Sequence, residues 1–224
     1  MKLFRKNLLE KLKTKNKGNI KLTKAIDELI STIEMKTWKT KEDIGLKKIL
    51  RKGILTSELE FERASIIDRK LRLLVKEHPE LAEEHSRLLD ILYAYETEHW
   101  VNRKITHEKI TENDIAEQIA EYENKFYKQR KDVIKTKLKE KGLTQKQLGM
   151  LLGHSSETYI SELVSGVTPF TLNDLILINK LFGIPMDQLI PTTLNVQTIF
   201  KVRAVIAKLN NPKIHLEMRD LIPV

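Results

Sequence analysis

LTQKQLGMLLGHSSETYISELVSG, Leu143 to Gly166, is the stretch on which the fold turns. Thr144 and Gln147 stand three apart, the spacing of a capping box in which each side chain satisfies the other's orphan backbone amide. A helix is therefore predicted to start at Gln145, with Leu148, Leu151 and Leu152 as its inner face. Gly149 follows Leu148, where a missing side chain lets a second helix cross closely. Gly153 suits the left-handed residue that ends a helix. Ser155 or Ser156 can cap the next helix, whose inward residues are Ile160, Leu163 and Val164. Ser156, Glu157, Thr158, Tyr159, Ser161 and Glu162 then face mostly outward, and Gly166 closes the segment.

The same periodicity continues on both sides. Asp132 to Lys141 reads as a preceding helix with Val133, Ile134 and Leu138 inward and Gly142 as terminator. Thr171 caps LNDLILINKLF, Gly183 stops it, and PMDQLI makes a last turn before Pro191. Upstream, Ser57 and Glu60 repeat the capping-box spacing, and Leu59, Ala64, Ile67, Leu71 and Leu74 form a buried stripe. Pro79 suits the first turn of a second helix with Leu81, His85, Leu88, Leu89, Leu92 and Tyr95 inward, which makes a helical hairpin. From near Asn113, Ile115, Ile119, Tyr122, Phe126 and Val133 step at close to coiled-coil spacing. That linker helix either bridges the hairpin to the C-terminal domain or helps a dimer form.

Residues 4–14 and 21–35 read as a further helical pair, with Trp38 as an anchor. In the tail, Thr192 to Val224, VQTIFKVRAVIAKL is helical. Ile214, Leu216 and Met218 alternate as a short strand or extended arm, which pairs with a second copy or packs on its own domain. With only 8 Gly and 6 Pro in 224 residues, an all-α fold is expected.

The chain has no cysteine, which excludes disulfides and thiolate chemistry and fits a reducing cytoplasm. Neither a signal-peptide core nor an apolar run of about 20 residues is present, so a soluble cytoplasmic protein without a membrane role is expected. The net charge of +9 is uneven. Residues 1–55 hold 16 basic and 6 acidic side chains, residues 56–128 hold 11 and 17, and residues 129–224 hold 13 and 8. Basic ends around an acidic middle suit a polyanion at the ends and a basic partner at the centre. The six histidines lack the i, i+4 pairing of a zinc helix, and no Gly-rich phosphate loop or nucleophile elbow occurs. No enzyme, cofactor or metal site is expected.

Five short helices over residues 132–190, the second and third forming a helix-turn-helix, resemble the lambda-repressor-like domains of the Cro/C1 (Xre) family. GLTQKQL, LLG, ISEL, SG, TLNDL and FGIPMDQLI carry that resemblance. It implies binding of double-stranded operator DNA, with the second helix in the major groove and a homodimer spanning two half-sites. Arg130, Lys131, Lys135, Lys137, Lys139, Lys141 and Lys146 then form a phosphate-facing cluster, and Gln145 and Lys146 offer free amides at a helix start. Base reading falls to Ser156, Thr158 and Tyr159, Glu157 can accept from a cytosine amino group, and Ser155 and Ser161 complete the expected DNA-binding residues.

ILTSELEFERASIIDRKLRLL with SRLLDILYAYETEHW is similar to the toxin-facing helices of HigA-type antitoxins. LLEKLKTKNKGNIKLTKAIDELISTIEMKTWKTKEDI resembles the opening helices of HigB-type toxins, without the sheet their ribonuclease chemistry needs. The expected organisation is a basic helical segment at 1–53, a toxin-facing hairpin and linker helix at 54–129, a helix-turn-helix domain at 130–191 and a tail at 192–224. The resemblance implies an antitoxin of a type II system, neutralising a basic, ribonuclease-like toxin by contact and repressing its own operon. A scaffold whose helix-turn-helix no longer binds DNA, and a plain transcription regulator with a small-molecule or peptide sensor, are the alternatives.

Overall fold

The computed structural model of the chain describes Ile26, residues 45–214 and residues 216–222. The chain divides into two units, Met1–Glu42 and Asp43–Val224. The N-terminal helical pair, the Trp38 anchor and the toxin-like stretch lie outside the described residues, apart from Ile26, which is helical and buried.

Among the described residues every regular element of the second unit is a helix. A short helix, α1 (Leu46–Lys52), precedes α2 (Glu58–Leu74). Ser57 caps α2 as its spacing predicts, its hydroxyl accepting from the Glu60 amide at 3.3 Å. The reciprocal half of the box is missing. Glu60 instead accepts from the Thr56 amide at 2.9 Å and pairs with Lys52, a cation that draws the carboxylate upstream. The α2 stripe is buried as expected, with Ile66 added to it.

Pro79 opens a single 3₁₀ turn, Pro79–Leu81, and α3 (Ala82–Glu96) follows. Leu88, Leu92 and Tyr95 are buried and His85 is half-buried, but Leu89 is 40% exposed. At about 100° per residue, Leu89 turns off the line through Leu88, Leu92 and Tyr95. His85 bonds the buried Asp68 of α2 at 2.7 Å, which Arg72 also holds, so the hairpin carries a polar clasp.

The linker helix and the helix expected at Asp132–Lys141 are one element, α4 (His107–Glu140), 34 residues and therefore about 50 Å long. It starts earlier than Asn113, where the Thr106 hydroxyl accepts from the Lys109 amide at 3.2 Å. No Gly or Pro interrupts residues 107–140, and nothing local can end the helix before Gly142.

Among the described residues, α4 contributes to two apolar cores. Its first half contributes Ile115, Ala116, Ile119 and Ala120 to a core with Leu59 and Ile66 of α2. The expected seam is thus largely consumed inside the chain. Its second half contributes Ile134 and Leu138 to a core with α5 (Gln145–Leu151), α6 (Glu157–Ser165) and α7 (Leu172–Phe182). A 3₁₀ turn, Met186–Gln188, completes that second core through Leu189.

The tail returns to the first core. Val196 and Ile199 of α8 (Val196–Leu209) and Leu221 of α9 (Met218–Leu221) are buried against α2 and α4. Of the residues expected to alternate as a strand or extended arm, Ile214 and Leu216 lie outside any regular element and Met218 opens α9. Beyond the expected arm Leu221 packs on the chain's own core, whereas Ile214 and Leu216 are exposed.

Candidate nucleic-acid interface

The turn between α5 and α6 is built from the residues that predicted it. The Thr144–Gln147 capping box is complete, with the Gln147 backbone amide donating to the Thr144 hydroxyl at 3.2 Å and the Gln147 side-chain Oε1 accepting from the Thr144 backbone amide at 2.8 Å. Gly149 lets the two helices cross: a Cβ there would lie 2.7 Å from Ile160 Cγ1 and 3.1 Å from the His154 carbonyl. Leu148 and Leu152, four residues apart, face the core, whereas Leu151 lies off that line and is 48% exposed. Ser156, rather than Ser155, caps α6 and accepts from the Tyr159 amide at 3.2 Å.

A second polar tie locks the turn to α7. His154 Nε2 lies 3.0 Å from Oδ1 of buried Asp174, whose Oδ2 accepts from the Thr171 amide at 2.9 Å in a second full capping box. The Tyr159 ring meets the His154 ring edge-on at 5.1 Å.

The candidate contact residues separate into two groups. Ser155, Ser156, Glu157, Thr158 and Lys146 are exposed. Gln145, Tyr159 and Ser161 are half-buried, and Tyr159 packs against the domain core. Lys146 Nζ and Glu157 Oε1 are 2.9 Å apart, both largely exposed, so the acidic start of α6 is met by the only Lys of α5. As hydrogen-bond partner and as charge, Glu157 pushes the Lys146 pKa up and keeps the ammonium charged.

The cationic cluster is smaller than its sequence count. Arg130 is buried, not phosphate-facing. Its guanidinium donates to the Leu163 carbonyl at 3.0 Å and the Leu189 carbonyl at 3.2 Å, between the rings of Tyr127 and Phe170. Burial pushes its pKa down to about 10, still well above neutrality, so it remains a cation. The signal was available: Phe126, Arg130, Ile134 and Leu138 recur every four residues along one helix, and all four are buried. Lys137 pairs with Glu140 at 2.8 Å and Lys146 with Glu157, Lys131 is half-buried, and Lys135, Lys139 and Lys141 lie at exposed positions.

Residues 134–189 match the family model described as Helix-turn-helix, over the segment that forms this second core. No curated protein and no solved structure matches the chain. Among the described residues no three metal-ligating side chains cluster, and no helix is long and apolar enough to cross a membrane.

Proposed function

We propose that the chain is a DNA-binding transcription regulator whose helix-turn-helix places the start of α6 against base edges. The observation that carries this is the exposed group Ser155, Ser156, Glu157 and Thr158 beside Lys146, on a turn fixed by two capping boxes and the His154–Asp174 bond. Hydroxyls and a carboxylate at these positions suit base edges, and Lys139, Lys141 and Lys146 suit phosphates. Fluorescence anisotropy on DNA from upstream of the coding sequence tests it. Affinity should fall linearly with salt on logarithmic axes, and Lys139→Ala with Lys141→Ala should flatten the slope by about two. A salt-independent complex, or none, would leave the domain a scaffold.

Within that class we propose an antitoxin that acts as a homodimer and represses its own operon. The acidic segment 56–128 supports a basic partner, and the hairpin exposes Leu73 on α2 and Leu89 and Tyr93, one turn apart, on α3. Residues 54–100 should therefore take the toxin. Co-expression with a small basic ribonuclease-like protein encoded next door checks this, and Tyr93→Glu should release that protein without altering DNA affinity. Retention of the partner by Tyr93→Glu assigns its contact elsewhere.

A further inference from the structure

A cleft of about 450 Å³ opens between α1, α2, α4 and the loop that follows α6, a size within the usual range for small-molecule sites. Most of its wall is apolar, from Ile49, Leu55, Ile66, Ile67, Ala120 and Val167. Its charges do not cancel. Arg63 grips Glu123 with two bonds of 2.8 Å, and Lys52 pairs with Glu60, so both lining carboxylates are neutralised. Lys48 remains, exposed and donating to the Val167 carbonyl at 3.2 Å. One surplus positive charge above an apolar wall suits an apolar molecule carrying one negative charge.

We propose that this cleft binds a small apolar monoanion, of the carboxylate class, whose charged head takes Lys48 from the Val167 carbonyl. The wall it would touch is the end of α6. Val167 donates its amide to the Glu162 carbonyl at 3.0 Å, and Gly166, the left-handed C-cap of α6, sits so close to Tyr127 that a Cβ would lie 2.5 Å from the ring. Occupancy therefore loosens the 166–169 loop and weakens DNA binding through the far end of the recognition helix. That consequence rests on the DNA-binding reading; the binding site does not.

The test uses the full chain with labelled isoleucine and valine methyls, titrated with phenylacetate, octanoate and 8-anilinonaphthalene-1-sulfonate, and with phenylacetamide as the neutral match. Ile66, Ile67 and Val167 methyls should shift saturably, while Ile176, on the exposed face of α7, should not. Lys48→Met should weaken the anions at least about tenfold, and Lys48→Arg should restore them. Equal shifts at Ile176, no saturation with any of the three anions, or unchanged binding by Lys48→Met overturns the site. A cleft filled by another part of the chain gives the same null result and overturns it equally. With the site established, a saturating anion should lower DNA affinity about fivefold, and DNA should lower anion affinity by the same factor. Anion binding with unchanged DNA affinity overturns the coupling alone, and anion binding with no DNA complex at all overturns the DNA reading and leaves the site.

Discussion

Arg130 ties the end of α6 to the segment after α7, with one bond to the Leu163 carbonyl and one to the Leu189 carbonyl, so its fork geometry matters more than its charge. Arg130→Lys keeps the cation but cannot reach both carbonyls. Chemical unfolding should show a loss of about 1–3 kcal/mol, with no change in the salt dependence of DNA binding. A flatter salt slope at unchanged stability would return Arg130 to the phosphate contacts. Gly149 makes the complementary case. Gly149→Ala forces a methyl into Ile160 and should cost about 1–3 kcal/mol, read as a lowered Tm. The capping pairs were legible because their partners are three residues apart. The burial of Arg130 required the 126–130–134–138 ladder to be weighed above the identity of the side chain. The Lys48–Val167 bond spans 119 positions, and no local spacing announces it.

At the scale of elements, the hairpin and the long helix behave differently. The α2–α3 hairpin is clasped by Asp68. Burial alone would raise its carboxyl, but hydrogen bonds from Arg72 and His85 hold it below its ordinary value of 3.8. A depressed carboxylate contributes stability that is present above its unfolded pKa and lost as pH falls through the folded one. Stability should therefore decline below about pH 4, and Asp68→Asn should lower stability at pH 7 while flattening that acid limb. An acid limb unchanged in Asp68→Asn assigns the decline to other carboxylates. Helix α4 was legible in type but not in extent. Its buried line runs from Ile115 and Ile119 through Phe126 to Ile134 and Leu138, but a charged residue, Arg130, stands on that line beside Gln129, and a charge there looks like a boundary where the backbone has none.

Across the described residues, α4 contributes to the two cores above, and α1 meets the loop after α6 through Lys48. The acidic start of α6, which looks unsuited to a polyanion, is offset by Lys146. Glu157→Gln removes the negative charge and frees the Lys146 ammonium. Non-specific DNA affinity should rise, the salt slope should steepen by about one, and base preference should change at one position per half-site. An altered slope with unaltered preference would confine Glu157 to the ion pair and the helix start. The most direct measure of operator recognition is the affinity of the full chain for its own upstream DNA against unrelated DNA of equal length, at fixed physiological salt. A preference of about a thousandfold or more is predicted. Equal affinity for the two DNAs, or no binding to either, would contradict it.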